Sequence, residues 1–141
     1  MRAPDELVSD VVALYSHRNG YSFAALKRSG KLVVWGDPER GGDISAVASD
    51  LSDNVKAVST TNRAFAALKN SGAVVIWGSH EHGGDASAVA EKLSSDVKVL
   101  CSTDKAFAAL KTSGEVVAWG NGEYGGEVPA GIKRFVSRGV V

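Results

Sequence analysis

The chain repeats one unit three times, with a period of about 42 residues. Each copy carries Phe-Ala-Ala-Leu-Lys (residues 23–27, 65–69 and 107–111), then Ser-Gly, an apolar run and Trp-Gly. A repeat of this length is typical of architectures in which each supersecondary unit buries its apolar surface against the next one. Positions that recur in every unit are therefore explained first by packing, and the sequence says more about architecture than about chemistry.

The length and the charge of the chain limit what it can be. A chain of 141 residues and 14.7 kDa can bury one core but is short for two. We therefore expect a single domain over residues 1–141, with repeats near 12–54, 55–96 and 97–136. The 16 basic and 16 acidic side chains cancel to a net charge of zero and form no block of either sign. Binding to nucleic acid or to an anionic membrane is not expected.

Two further features bear on where the protein works. Cys101 is the only cysteine, which excludes a disulfide within the chain and fits a reducing compartment. The N-terminus lacks the apolar core of a signal sequence, and no stretch approaches the roughly 20 apolar residues that a membrane span needs. The sequence predicts a soluble protein, with the cytoplasm as the default location.

The second unit indicates what each repeat builds. Residues 64–69 and 73–77 are apolar runs of strand length joined by the glycine-containing connection 70–72, which predicts an antiparallel hairpin. Both faces of these strands carry apolar or small residues, so neighbouring units should cover the hairpin on both sides. Residues 96–101 alternate briefly and predict a third strand, which leads into the next hairpin.

A short helix is predicted between each hairpin and the next connecting strand. In the second unit the two glycines at 83–84 bend the backbone, and Asp85 or Ser87 is a candidate N-cap. Val89 and Leu93 then follow at helical spacing on one face. The helix should therefore pack its apolar side onto the sheets.

The two ends of the chain are out of phase with the hairpins. Residues 12–16 match the connecting strand at 55–59, so a connecting strand precedes the first hairpin. Residues 128–131 are too short and too rich in proline and glycine for a third helix, and residues 132–136 predict a fourth connecting strand. The predicted fold class is mainly β, with three pseudo-symmetric repeats of antiparallel three-strand meanders and short connecting helices.

The arrangement of the three units is left open by the sequence. Natural propellers use roughly four to eight blades, so three units do not close an ordinary ring. The units form a compact pseudo-threefold body, remain open as a partial propeller that pairs with another copy, or belong to a larger assembly. The closing strand and the shortened last helix favour a finished small domain, and of the three arrangements we prefer the compact pseudo-threefold form.

The repeated motif resembles that of the regulator of chromosome condensation (RCC1-like) repeat family. The similar elements are Ala-Phe-Ala-Ala-Leu-Lys, Ser-Gly, Val-Val-x-Trp-Gly, the later Gly-Gly and the Val-Lys-x-Val strand, and they extend over residues 12–136. The resemblance implies a propeller-like fold and service as an interaction module. Full members form closed seven-bladed propellers, and the loops on which their exchange activity toward the small GTPase Ran depends have no counterpart here.

Few residues suggest chemistry, and each has a simpler interpretation. The segment 80–82 offers two histidines, but no third and fourth ligands follow at a recognisable spacing, so we interpret it as a variable loop. His17 is interpreted as solvent-exposed, and Cys101 as a buried small side chain in the place of Ser59. No catalytic or phosphate-binding arrangement can be assembled. We expect no enzymatic activity, no cofactor and no metal.

Large and acidic side chains at repeated positions are assigned to the framework. The tryptophans are interpreted as core anchors, and an aromatic surface for sugars or peptides is the alternative; they are Trp35, Trp77 and Trp119. The acids after the Gly-Gly pairs are interpreted as helix caps or as acceptors within loops; they are Asp43, Asp85 and Glu127.

Three loops between the Trp-Gly and Gly-Gly elements differ from unit to unit, at residues 37–40, 79–82 and 121–124. Repeat folds separate a shared core from an individual binding face in this way. The sequence therefore predicts a non-enzymatic protein-interaction or scaffold module of RCC1-like repeats. The partner is an unidentified protein, and self-association or a larger assembly is also open. The predicted partner-binding residues are Arg40, His80, His82 and Tyr124.

Two other function classes compete with this interpretation. A lectin-like ligand-binding domain would carry a chemically similar pocket in every unit, whereas the three loops are dissimilar. A guanine-nucleotide exchange factor rests on the family resemblance alone.

Overall fold

Nine antiparallel strands form three separate three-stranded sheets in the computed structural model, which describes residues 9–17, 21–40, 42–79, 83 and 85–121. The first sheet contains β1 (Val11–Ser16), β2 (Ser22–Lys27) and β3 (Leu32–Gly36). The second contains β4 (Val55–Thr60), β5 (Ala64–Lys69) and β6 (Val74–Gly78). The third contains β7 (Val97–Ser102), β8 (Ala106–Lys111) and β9 (Val116–Gly120). The predicted meanders are confirmed.

Each sheet has the same register, because each hairpin has the same turn and the same partners. In the second sheet Phe65 pairs with Trp77 and Leu68 pairs with Val74, and the Lys69 N–H donates to the Ala73 carbonyl at 2.9 Å. The connecting strand pairs with the other side of β5 and carries a bulge between Val55 and Ala57. The first and third sheets have the bulge at the equivalent place.

The connecting strands of the second and third units are each held by two hairpin turns, their own and that of the unit before. The Val55 N–H donates to the Gly30 carbonyl at 2.9 Å, and the Asn70 N–H donates to the Asn54 carbonyl at 2.8 Å. Asn54 takes a left-handed conformation, with φ of 58°. Because asparagine and aspartate tolerate this conformation best among residues with a side chain, the sequence meets the local requirement. The turns therefore set the spacing between neighbouring units.

Two core clusters join consecutive sheets. We call the face of a sheet that packs against the following unit its front face, and the opposite face its back face. The first cluster combines the front of the first sheet with the back of the second, and includes Ala24, Leu26, Leu32, Leu51, Val55, Phe65, Ala67 and Trp77. The second repeats this between the second and third sheets, and includes Ala64, Ala66, Leu68, Leu93, Val97, Phe107, Ala109, Val117 and Trp119.

The order of packing distinguishes the arrangements left open by the sequence. Within the described residues, both cores join neighbours in sequence order, the first sheet to the second and the second to the third. This is the packing of a partial propeller, and it does not support our preference for the compact pseudo-threefold form. The predicted closing strand at 132–136 lies outside the described residues.

The two predicted helices are short 3₁₀ segments, Ala48–Leu51 and Ser87–Leu93. Leu51 and Leu93 are buried and anchor them. The expectation that Asp85 or Ser87 caps the second helix is wrong, because the N-cap position is Ala86 and has no side-chain hydrogen bond. Asp85 instead accepts a hydrogen bond from the Ser87 N–H at 3.0 Å in the preceding turn. This matches the alternative that the repeated acids are acceptors within loops.

Asp43 makes the equivalent turn before the first 3₁₀ segment. Its Oδ1 accepts a hydrogen bond from the Ser45 N–H at 2.9 Å. Hydrogen bonds from the backbone and side chain of Ser45 lower the pKa of the Asp43 carboxyl group. The third acid of the set, Glu127, lies outside the described residues. None of the described helices is long and apolar enough to span a membrane.

Candidate functional site

The variable loops all begin at the same end of their sheets, after the third strand. We call the three repeated sheets the frame. In each unit the first loop residue donates its N–H to the carbonyl of the residue just before the middle strand. The pairs are Asp37 with Tyr21 (2.8 Å), Ser79 with Arg63 (2.9 Å) and Asn121 with Lys105 (3.0 Å). We call this edge of the three sheets the loop end. The loops differ in sequence, but the frame fixes where each one starts.

A glycine at the end of each third strand makes this start possible. Gly78 has φ of 114°, in a region that side chains rarely adopt. A Cβ atom at Gly78 would lie 2.6 Å from the Ala64 Cα and 2.6 Å from the Arg63 carbonyl oxygen. The main chain therefore passes directly over the neighbouring strand as it enters the loop.

The first loop is ordered by its own hydrogen bonds. Asp37 Oδ1 accepts a hydrogen bond from the Glu39 N–H at 3.0 Å, and the Asp37 carbonyl accepts one from Gly42 at 2.8 Å. Between them Pro38–Arg40 form one 3₁₀ turn. The backbone of the predicted partner-binding residue Arg40 is thus placed in this turn, and its side chain lies outside the described part of the structure.

The second loop begins on one unit and ends on the next. Its first residue, Ser79, is bonded to Arg63 of the second unit, whereas the carbonyl of Gly83 accepts a hydrogen bond from Trp119 Nε1 of the third unit at 3.1 Å. A Cβ atom at Gly83 would lie 2.6 Å from the Phe107 ring. Glycine is therefore required where the loop meets the next unit. His80 and His82 lie between these two anchors and outside the described residues, as does Tyr124.

The structure adds three residues to the loop end that the sequence interpretation missed. Tyr21, Arg63 and Lys105 occupy the same position in their units and are partly exposed. The Arg63 guanidinium lies over the Tyr21 ring, 5.9 Å from its centroid, and so joins the first two units. The signal was available, because the three residues differ where the flanking Phe-Ala-Ala motif does not.

His17 is buried, which corrects the expectation of an exposed turn residue. Its Nδ1 lies 2.7 Å from the Thr61 carbonyl oxygen, and its ring centroid lies 4.3 Å from that of Phe65. A carbonyl only accepts, so Nδ1 carries the proton. His17 thus links the first unit to the second beside the loop end, and its role is structural.

We expect His17→Ala to lower the free energy of unfolding by about 1–3 kcal/mol, because it leaves a buried carbonyl without this donor and removes the contact with Phe65. Urea unfolding followed by circular dichroism measures the change. His17→Asn is the matched control, since its amide nitrogen occupies nearly the place of Nδ1. This variant should lose less stability than His17→Ala. Equal stability of His17→Ala and the parent would contradict the structural role.

The three tryptophans differ in burial according to which sheet they belong to. Trp77 and Trp119 are buried, and each stacks on the phenylalanine of its own hairpin at 5.2 and 5.3 Å between centroids. Trp35 stacks on Phe23 in the same way but is only partly buried. The core-anchor interpretation is confirmed for Trp77 and Trp119, and Trp35 lies at an open end of the described part of the array.

Cys101 is exposed, contrary to the expectation of a buried side chain. It lies on the front face of the third sheet, at the position that Tyr15 has in the first sheet and Ser59 in the second. Those positions face a following unit, whereas the third sheet has no following unit among the described residues. Across the described residues, no group of three or more His, Cys, Asp or Glu side chains is arranged to hold a metal ion.

Comparison with solved structures identifies the fold. Human WBSCR16 matches with a TM-score of 0.58 and 20% identity, over 84% of this chain and 36% of that one. Yeast (Saccharomyces cerevisiae) Prp20p matches with a TM-score of 0.51 and 14% identity, over 78% and 30%. Yeast RCC1 (Prp20) in its complex with Kap60 matches with a TM-score of 0.50 and 14% identity, over 78% and 29%.

The chain thus has an RCC1-like fold and spans about a third of the length of these solved chains. No protein-family model matches it, and no curated protein matches it in sequence. The fold is that of a partial propeller.

Proposed function

We propose that this chain is a non-enzymatic protein-interaction or scaffold module of RCC1-like repeats, and that its partner binds the loop end. The observation that carries the proposal is the contrast between frame and loops. Three chemically different segments are anchored by the same hydrogen bond at the same end of three nearly identical sheets. A repeated frame with individual loops is how repeat proteins recognise one extended partner surface.

The residues beside the loops extend this contrast. Tyr21, Arg63 and Lys105 share one position and place an aromatic ring and two cations along the loop end. Tyrosine and arginine are enriched in interface hot spots. The alternative of a lectin-like domain with one equivalent pocket per unit is disfavoured, because the residues at each equivalent position are chemically unlike.

The structural neighbours are compatible with a protein partner. The yeast protein Prp20p is described with binding properties toward Gsp1p and histones, and as a complex with Kap60. Protein binding by the present chain is our proposal, since it shares only the fold with Prp20p and spans less than a third of it. The exchange-factor alternative is not favoured.

The proposal predicts that replacing Arg40, His80, His82 and Tyr124 together with alanine abolishes partner capture and leaves folding intact. Surface substitutions usually change stability by no more than about 0.5 kcal/mol each. The measurement is affinity capture by the immobilised parent and variant, with captured proteins quantified by mass spectrometry, beside the melting temperature of each. A second variant, Arg63→Ala, should weaken capture of the same protein.

The matched control replaces four exposed residues at the opposite end of the sheets, Lys56, Glu91, Lys98 and Thr112, with alanine. This control should capture the partner as the parent does. Equal capture by the loop variant and the parent would place the interface elsewhere. Collapse of the loop variant would show that the loops are part of the framework, and Arg63→Ala then tests the loop end separately.

A further inference from the structure

The front face of the third sheet is more exposed than the same face of the other two sheets. In the second sheet the front-face residues Ala66 and Leu68 are buried by the third unit, and their equivalents Ala108 and Leu110 in the third sheet are partly exposed. Val99, on the same face of β7, is 43% exposed. Within the described residues, the third sheet thus presents a partly exposed apolar front face.

The back face of the first sheet shows the complementary pattern. Phe23 and Trp35 are partly exposed, although their equivalents in the second and third sheets are buried. Leu14, on the same face of β1, is 64% exposed. The described part of the array therefore has a partly exposed front face at one side and a partly exposed back face at the other.

The internal junctions show that these two faces fit each other. Twice within the chain, a front face of small and aliphatic residues packs against a back face carrying the Phe and Trp pair. The two end faces have the same residue types at the same register positions. Any surface that reproduces the back face of a unit is thus matched in shape and chemistry to the front face of the third sheet.

The main chain at the start of β1 also has the conformation found at the internal junctions. At the internal junctions the Val55 N–H donates to the Gly30 carbonyl at 2.9 Å, and the Val97 N–H donates to the Gly72 carbonyl at 3.0 Å. The residue before each of these valines is left-handed, with φ of 58° at Asn54 and 63° at Asp96, and Asp10 before Val11 has φ of 66°.

We propose that two copies of this chain associate head to tail, each placing the back face of its first sheet on the front face of the third sheet of the other. The partner is a second copy because the chain itself carries both halves of the junction that it already makes twice. A heterologous contact closes into a ring or extends into a filament. Two copies supply six units, which lies within the roughly four to eight blades of propeller rings. The assembly is therefore a closed ring of two chains.

The first test is the mass in solution, measured by analytical ultracentrifugation over a dilution series. The parent should approach twice the 14.7 kDa of the chain, whereas Leu14→Asp and Val99→Asp should each remain monomeric, because every junction then contains one charged face. Both positions are exposed, so both variants should fold. Ser49→Asp, in the exposed 3₁₀ segment between β3 and β4, is the matched control and should associate as the parent does.

The second test mixes the two monomeric variants. Leu14→Asp retains an intact front face and Val99→Asp retains an intact back face, so an equal mixture should form a two-chain species through one good junction. A contact between like faces would instead leave one of the two variants dimeric on its own. That result, or a mixture that stays monomeric at every concentration, would overturn the proposal.

Cys101 gives a readout that does not depend on mass. It is exposed on the front face of the third sheet, and the proposed junction covers it. Its reaction with a thiol reagent should slow as the parent is concentrated, and should stay fast in Leu14→Asp, whose change lies on the opposite end face. The proposal would be overturned by a parent that is monomeric and whose Cys101 reacts at the same rate at all concentrations. That result would not affect the proposed function of the loop end, because Leu14 and Val99 lie away from the loops.

Discussion

Replacing Trp77 with alanine is expected to lower the free energy of unfolding by about 3–5 kcal/mol, the range for removing a large buried aromatic side chain. Trp77 is 5% exposed, stacks on Phe65 and lies in the core between the first and second sheets. Its loss leaves a cavity at the junction that holds two units together. Guanidinium unfolding, followed by circular dichroism, measures the change.

Trp35→Ala is the control for this prediction. The sequence alone predicts equal losses at the three tryptophans, whereas the partial exposure of Trp35 predicts a smaller one. Both variants should be compared in the Val99→Asp background, so that association contributes nothing and the added charge lies on the third sheet, away from both tryptophans. Unfolding of Trp77→Ala at the same denaturant concentration as its parent would refute the core-anchor role. Equal losses at Trp35 and Trp77 would refute the assignment of Trp35 to an open end.

Gly78→Ala should cost about 2–5 kcal/mol, since the new Cβ atom meets two penalties at once. A side chain at φ of 114° is strained, and the Cβ would lie 2.6 Å from main-chain atoms of the neighbouring strand, which cannot move aside as a side chain can. The start of the second loop would shift with it. Thermal and denaturant unfolding of the variant measure the loss.

Ala73→Gly, at the start of the same hairpin strand, is the reference for a change of one methyl group without positive φ. It should cost about 0.5–1 kcal/mol through backbone entropy alone. A Gly78→Ala variant no less stable than Ala73→Gly would show that the chain enters the loop without close approach to β5. Such a result would also weaken the argument that the frame fixes the loop end.

Local pattern was enough to predict the framework. The Gly-containing turn at Asn70, Ser71 and Gly72 lies between two apolar runs of strand length, and the hairpin follows because few backbone conformations join such runs so tightly. Because the motif is repeated, the hairpin predicted for one unit was also predicted for the other two. Comparison of the three units also located the loop end, because its residues vary between units whereas the strands around them do not. The same comparison could have added Tyr21, Arg63 and Lys105.

Burial within the array was decided only by tertiary structure. Trp35 and Trp77 have similar neighbours in sequence and differ in exposure, because among the described residues only Trp77 has a unit packed against its face. His17 was assigned to solvent because nothing local indicates that its ring reaches Thr61 and Phe65 of the next unit. Cys101 was assigned to the core because its strand is apolar, yet it is exposed on a sheet face that no following unit covers among the described residues.

The amino-acid sequence by itself therefore determined the unit, its register and the location of its variable loops, because turns and strand alternation depend on neighbours within a few residues. The relation between units, the open partial propeller and the exposure of its two end faces depended on contacts between residues far apart in the chain. Identical repeats carry identical local signals, so no single unit encodes whether it lies at the middle or at the end of the array.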